Sequence, residues 1–525
     1  MKNSINRAVS ILLLAASSLS AATHYVWLEN TNPTPPYTNW ATAAMYIQDA
    51  VDVAAPGDVV LITNGVYPGG VTVTNPVALL SVNGPQYTVI DGGGWSRCAT
   101  LSDGASLTGF TITNGAASWE DGDGGGVFCS STNAFVTNCV IVGNRAAFSS
   151  PGGGAYGGTL NYCAITNNSA AWGGGAAFCI LYNCTLGGNV GLGGLGIEGG
   201  WPGYGGGAMY CTLNNCTLTG NLAQWGSGGG AGGCTLNNCV LTANSAGSGG
   251  GACSCTLNNC TLTGNSAQWG SGGGALQGTL NNCIVYFNTA PIGANYDPTD
   301  LSTTLNYCCT TPLPTNGVGN IDADPQLAST THLCADSPCR RAGSAAYAAG
   351  ADIDGEPWGN PPSIGCDEYH AGAVTGPLTV SVTASYTNVA AGYPLAFTAL
   401  IGGRAADSVW EFGDGELALN EPYTTHSWTR PGDYVVALWA FNESNLEGVC
   451  SRVVIHVVAE PVAYVSPAST NPQPPYLSWA TAATSIQDAV DAPLLGLSLV
   501  VVADGVYPGG VNVSIRHLLQ LRHPA

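Results

Sequence analysis

Lysine is all but missing from this 525-residue chain. Lys2 is the only one, and Lys and Arg together number 11 against 32 Asp and Glu. The formal net charge of -21 reflects this scarcity of bases, since charged residues make up only 8% of the chain. Such a surface offers nucleic acid or an anionic membrane no electrostatic attraction, so a neutral or cationic partner is expected. Histidine is absent between Thr100 and Asn320, which leaves a long middle stretch without the usual general base. No C-x-x-C pair occurs among the 20 cysteines, which argues against structural zinc. No apolar run is long enough to span a bilayer. What is abundant is glycine, 74 residues, yet a hydrophobic content of 45% excludes a disordered chain. The length allows two to four domains.

Residues 1–22 read as a secretory signal. Lys2 and Arg7 form the basic start, Ala8–Ala16 the apolar run, and Ser18, Ser20 and Ala22 the small residues around cleavage. An extracellular or cell-surface location is expected, with no cofactor required.

The middle of the chain repeats itself. In register, Cys139, Cys163, Cys184, Cys216, Cys239, Cys260, Cys283 and Cys308 form one column with a period in the low twenties. That period marks a solenoid. Each unit reads as a strand C-T-L, a turn N-N, a strand C-T-L-T, then an asparagine, a loop and a triple glycine. Alternation of Cys and Leu with Thr is the signature of half-buried strands. The fold class expected is all-β: a right-handed parallel β-helix over 23–375, with about nine coils between Leu101 and Leu327. An N-terminal helix from Trp40 to about Asp52, capped by Asn39 or Thr38, closes its start.

The asparagine column (Asn144, Asn168, Asn189, Asn221, Asn244, Asn265, Asn288) is read as turn chemistry: left-handed geometry and amide bonds between coils. The triple glycines supply positive φ and bare backbone at a corner; no phosphate loop is implied, because no Lys-Ser/Thr follows. The cysteines are read as buried thiol ladders rather than bridges, because in-register Cβ atoms about 4.8 Å apart exceed disulfide spacing. Cys334 and Cys339, outside the columns, are better candidates for a bridge.

The cap returns near the C-terminus: Thr470–Asp491 and Asp504–Val513 match Thr31–Asp52 and Asn64–Val73. Residues 461–525 therefore read as the start of a second β-helix. The unrelated continuation suggests a truncated or frame-shifted product, the alternative being a genuine short tail.

Length varies only in the loop between the asparagine and the glycines, so the loops share one side of the rod, where repeat proteins commonly bind. Trp119, Trp172, Trp201, Trp225 and Trp269 lie there, with Tyr204 at the end of the longest loop. An aromatic stripe suits sugar rings, each of which has an apolar face. The alternative is that each ring folds back over its own loop. The single acidic cluster of the coils, Glu120, Asp121 and Asp123, could hold calcium, with Arg145 from the next coil nearby. The alternative is a solvated loop with a surface ion pair.

The Gly-Asn-Ser-Ala and Gly-Gly-Gly-Ala pattern resembles the repeats of bacterial polymorphic outer-membrane proteins and other pectin-lyase-like β-helices. That resemblance implies the fold. In its pectate-lyase-like members it implies a calcium site with an arginine base, which Glu120, Asp121, Asp123 and Arg145 would supply. Asn320–Leu327, Ala335–Gly343, Asp352–Trp358 and Ile364–Tyr369 are similar to the closing segment of bacterial surface β-helix proteins. Cys339 and Cys366 stand where those carry alanine, which implies a possible local disulfide.

Residues 376–460 resemble a polycystic-kidney-disease (PKD) domain. Trp410, Phe412, Gly413-Asp414-Gly415, His426, Trp428, Pro431-Gly432, Tyr434 and Asn442 carry the motif, with Glu411 in place of the usual aspartate. The resemblance implies an Ig-like β-sandwich acting as an extracellular spacer or adhesion module. Read directly, Asp414-Gly415 is a hairpin turn and Asp433–Phe441 an alternating strand. Three functions stay open: polysaccharide or surface binding through the loop face, a polysaccharide lyase or hydrolase, and a structural passenger.

Overall fold

The computed structural model describes residues 21–117, 122–147, 149–193, 203–372, 375–458, 462–492, 498–507, 509–510 and 517–521. The expected signal segment lies outside them, apart from Ala21 and Ala22. No described helix is long and apolar enough to cross a membrane.

From Thr23 to Thr310 the chain is a parallel β-helix, described among these residues by 19-, 11- and 5-stranded parallel sheets. One column of the core runs Val60, Leu79, Leu107, Val136, Leu160, Leu181, Leu213, Leu236, Leu257, Leu280 and Leu305, each paired in register with the next. A second column on the next sheet runs from Ile90 and Ile112 to Leu262 and Val285. Every rung named is fully buried. The alternation places Leu inward and the flanking Thr outward, as short half-buried strands require.

The corners explain the remaining columns. At each turn the asparagine before the ladder cysteine is left-handed: Asn183, after Tyr182, and Asn215, Asn238, Asn259 and Asn282, in N-N turns, have φ near 50° (49° to 52°). The cysteine that follows turns inward. The N–H groups of Cys163, Cys184, Cys216 and Cys239 each donate to the sulfur of the next cysteine along the column, at 3.4 Å. Cys179, Cys211 and Cys234 repeat the pattern at 3.3 Å in a second column. A thiol here is a small hydrophobe that also accepts a corner N–H, which Ala or Val cannot do. All twenty cysteines are free, and burial pushes the thiols of Cys211, Cys216, Cys234, Cys255, Cys260 and Cys308 well up.

The asparagine column is a buried ladder. Asn221 donates both its backbone N–H (3.0 Å) and its Nδ2 (2.9 Å) to Oδ1 of Asn244, and Nδ2 also reaches Leu186 O at 2.9 Å. Asn144, Asn168, Asn189 and Asn244 do the same one coil apart. The left-handed residue is not the ladder asparagine but the one before it, for example Gly220 and Gly264 (φ 62° and 65°). The triple glycines close the corner opposite. Gly228 is left-handed (φ 72°), while a Cβ on Gly229 would meet Ser245 O at 2.3 Å and one on Gly230 would meet Gly251 O at 2.6 Å.

The expected N-terminal helix is two pieces. Trp40–Thr42 is a 3-10 turn capped by Asn39, whose Oδ1 accepts from Thr42 N–H at 3.1 Å, and Ile47–Val53 is the α-helix. The break arises because Ala44 pairs with the first strand, its N–H to Tyr25 O and its C=O to Trp27 N, both at 2.8 Å. The second copy repeats both pieces, Trp479–Thr481 and Ile486–Val490, ahead of the parallel strand Ser498–Val502.

After a last parallel bridge between Cys309 and Ile321 the chain leaves the coil register and lies along the last coils. Nδ2 of Asn238, Asn259 and Asn282 donates to Ala351, Tyr347 and Ser344 carbonyls at 2.7–2.9 Å. Neither expected bridge forms in this segment. Cys339 packs with Ile284, Cys309 and Leu333, Cys334 packs with Ala328 and Leu378 in a different cluster, and Cys366 Sγ lies near Thr331 O. Cys334 and Cys339 enter different apolar clusters, while Cys366 sits among polar groups of the closing segment.

Thr379–Val458 is an antiparallel β-sandwich of a three-stranded and a five-stranded sheet, with one parallel pairing, Asn388–Ala390 on Asn445–Val458. Phe397, Trp410, Phe412, Trp428, Leu438 and Ile455 fill it. Asp414-Gly415 is the expected hairpin turn, with Gly415 at φ 98° between Asp407–Glu411 and Leu417–Leu419.

Asn244→Ala orphans two donors of Asn221 and the Leu218 carbonyl. At roughly 1–3 kcal/mol per buried unsatisfied group, at least about 3 kcal/mol should be lost, read from the denaturant midpoint. Iodoacetamide should label only Cys450, the one cysteine not fully buried, in the native protein, and all twenty after unfolding, read by intact mass.

Candidate ligand-binding face

The loops leave the rod just after the asparagine ladder, where the third sheet runs (Ser169–Ala170, Val190–Gly191, Leu222–Ser227, Ser245–Ser248, Ser266–Ala267). Three successive coils read LAQWGS, SAGS and SAQWGS here. The middle coil is two residues shorter, and the structure absorbs the difference as a bulge: Ala223 pairs with Ala246, but Ser227 pairs with Ser248. Bulges re-aim side chains. Gln224-Trp225-Gly226 is pushed outward over Gly247, and from the other side Trp269 N–H and Gly270 N–H both approach Gly247 O (3.3 and 2.9 Å). The two indoles meet above that glycine, stacked with centroids 4.8 Å apart and planes 6° apart.

Trp225 and Trp269 remain 69% and 57% exposed. Trp225 is also left-handed, φ 58°. That conformation costs about 1–2 kcal/mol, and a stacked aromatic pair contributes about 0.5–1.5 kcal/mol. The stack therefore offsets the strain and leaves little net gain for folding. Strain held at an exposed aromatic is a feature of recognition sites.

The other expected residues separate. Trp119 and Trp201 lie outside the described residues. Trp172 is half-buried, its backbone bridging Pro151 and Tyr204. Tyr204 leaves the loop face: its ring covers Gly232, its hydroxyl donates to Cys253 O at 3.3 Å, and burial raises its pKa. It is scaffold, because a glycine in the next coil opens a slot for its ring.

Nor does a catalytic corner assemble among the described residues. Glu120 and Asp121 lie outside them. Asp123 is partly buried, which raises its pKa, and the opposing charge beside it is Arg97, whose Nη2 also donates to Asp123 O at 2.8 Å. Arg145 is exposed, with Nη2 3.3 Å from Gly94 O. A group of three converging polar side chains, His332, Asp354 and Asp367, lies elsewhere, beside the sandwich, where Arg404 neutralises Asp354.

Two features were missed in the sequence. Trp95, 86% exposed, stands on the left-handed pair Gly93 and Gly94 (φ 64° and 78°) in an earlier coil. It borders a groove of about 710 Å³ whose wall includes Ala116, Arg145, Ala170, Leu192 and Gln224, the residue before Trp225. Its signal was a further triple glycine, Gly92–Gly94 in DGGGWS, ahead of the first cysteine of the column. The second is a ladder of Phe128, Tyr156, Phe178 and Tyr210, with successive centroids 5.4 Å apart. These rings lean on one another along the rod; Phe178 and Tyr210 are left-handed and exposed as Trp225 is, but their contacts are tilted (52° and 39°) rather than stacked face to face.

Residues 379–455 match the family model of the PKD domain. No curated protein matches the chain. Similar solved structures include one from a study of carbohydrate-binding modules of the beta-sandwich superfamily (22% identity, TM-score 0.15), where the match covers 18% of this chain and 38% of that one. Pectate lyase Pel9A is 13% identical over 67% of this chain and 98% of its own, with TM-score 0.41. Pectin methylesterase PemA from Erwinia chrysanthemi is 13% identical over 57% and 80%, with TM-score 0.21. The parallel β-helix itself rests on the strand register above.

Trp225→Gly should change stability by less than about 1 kcal/mol, because glycine adopts the left-handed conformation without strain. It should abolish the circular-dichroism couplet of the stacked indoles. A larger loss of stability would mean that the pair holds the coils together.

Proposed function

We propose that this chain is an exported protein that binds an extended polysaccharide through the loop face of its β-helix. In this reading residues 1–22 are the export signal, 23–375 the β-helix, 376–460 the PKD sandwich and 461–525 the start of a second β-helix. One observation carries the proposal: Trp225 and Trp269 are exposed and stacked on each other, and Trp225 is held in a left-handed conformation. Their outward surfaces, the groove beside Gln224 and exposed Trp95 line one side of the rod with apolar, weakly charged surface. A sugar ring offers a matching apolar face, and a coil spacing of about 4.8 Å is close to one pyranose along an extended chain. The net charge of -21 favours a neutral or cationic glycan. The resemblances to carbohydrate-active β-helix proteins and to PKD domains are in keeping with this reading.

A glycan array with the full chain should identify a neutral or cationic polysaccharide. Trp225→Ala with Trp269→Ala should weaken binding by about 2 kcal/mol, roughly thirty-fold, as for a truncated aromatic hot spot. Unchanged binding would sink the proposal. Unsaturated sugar products that disappear with Arg145→Ala would replace it with a lyase.

A further inference from the structure

The sandwich makes direct contacts with the β-helix. Arg404, just past the strand Leu395–Gly402, reaches the closing segment of the β-helix. Its Nε lies 3.0 Å from Asp354 Oδ2, and its Nη2 pairs with Glu356. The same Asp354 oxygen is 3.1 Å from Nε2 of His332. Nδ1 of His332 is 2.9 Å from Ser329 Oγ and 2.8 Å from Thr331 Oγ1. Around this point stand Asp367, which accepts from Leu333 N–H at 2.8 Å, and buried Asp352, which accepts from three backbone N–H groups. Glu368 and His370 flank the crevice from the closing segment, and Glu443 does so from the sandwich. The apolar contact beside it is small: Leu378, Ala405 and Ala440 against Ala328 and Cys334. A second contact places the Tyr423 ring over Gly264, 6.0 Å from the Phe287 ring. The His332, Asp354 and Asp367 group could be taken for a metal centre, but a guanidinium already serves Asp354, so the cluster is read as an ionic clasp.

We propose that this clasp is a proton-sensitive joint between the β-helix and the sandwich, in which His332 and Arg404 compete for one carboxylate oxygen of Asp354. A protonated His332 is a second cation on that oxygen and repels Arg404; a neutral one leaves the carboxylate to Arg404.

The sign follows from which groups part when the joint opens. In the closed joint, burial and Arg404 lower the proton affinity of His332, while Asp354 and Asp367 raise it, for a net rise above the ordinary histidine value. Opening removes Arg404 and admits water, but Asp354 and Asp367 stay with His332 on the closing segment. His332 therefore binds its proton more tightly when open, and protonation favours opening. The clasp is strongest above the open-state pKa and weakens as pH falls to the closed-state value, which lies above 6.5. Asp367, raised to about 6 by burial, acts in the opposite sense if it gains water. Asp367 lines the same crevice, so the joint responds with the His332 effect less this opposing one, and Leu333 N–H keeps hold of the carboxylate in either state. Asp354, held below the ordinary carboxylate range, stays ionised throughout: burial raises it, but hydrogen bonds and charge from His332 and Arg404 outweigh that.

Hydrogen exchange of the full chain tests this, read as protection of residues 352–357 and 401–406 relative to unstructured rates at each pH. Between about pH 9 and about pH 6, protection in wild type should fall roughly ten-fold, the effect of about one pKa unit of linkage. His332→Gln, which keeps a donor to Asp354 without titrating, should hold high protection at both values. Arg404→Ala should lose it at both. Wild-type protection that is independent of pH, a His332→Gln variant that tracks wild type, or an Arg404→Ala variant as protected as wild type would each overturn the proposal.

Discussion

A coil of some two dozen residues has to turn several corners, and at each one a peptide N–H falls out of the parallel ladder while still inside the core. Leaving such a group unpaired costs about 1–3 kcal/mol, and the penalty recurs with every coil. The side chains that define this protein are answers to that constraint. Asparagine is used where the corner needs both an acceptor and two donors, and each amide serves the coils on either side of it. Cysteine is used where the corner has room for one small, mostly apolar atom that can still accept an N–H. Glycine is used where the adjoining coil's carbonyls leave no space for Cβ.

The loop face is a consequence of these corners. Because the ladder and the glycines fix both ends of each loop, a change in loop length cannot be spread along the coil and has to appear as a local bulge. The two-residue deficit of the SAGS coil does this, and brings Trp225 and Trp269 together over Gly247. A binding surface thus arises from the mismatch between neighbouring repeats rather than from any one of them. The sandwich is held differently, by the ion pairs of Arg404, a cluster of apolar side chains and the Tyr423 ring on Gly264, none of which repeats along the rod.

Much of this was legible in the residues. The Asn-Cys register located the coils, the PKD motif located the sandwich, and the unpaired state of the ladder thiols followed from strand spacing. The misreadings share a physical origin. The helix expected over Trp40–Asp52 ignored a strand partner for Ala44. Tyr204 was assigned by its place in a loop, although the slot for its ring is made by Gly232 in another coil. Cys334 and Cys339 were paired because they lie outside the columns, and Cys339 and Cys366 because of the family resemblance, whereas Cys334 and Cys339 enter different apolar clusters and Cys366 enters neither.

What the sequence determined by itself is the period, and with it every feature that repeats. A column of identical residues at constant spacing faces identical surroundings in each coil, so its role can be inferred from one corner and applied to all. What the tertiary structure decided are the unrepeated contacts: the indole stack across a skipped coil, the groove at Trp95, and the meeting of Arg404 with Asp354 and His332. These join residues far apart in the chain with no register to announce them. They depend on the rotation of each loop and on how the sandwich rests against the rod, and both are set by packing across elements rather than by the order of residues within one.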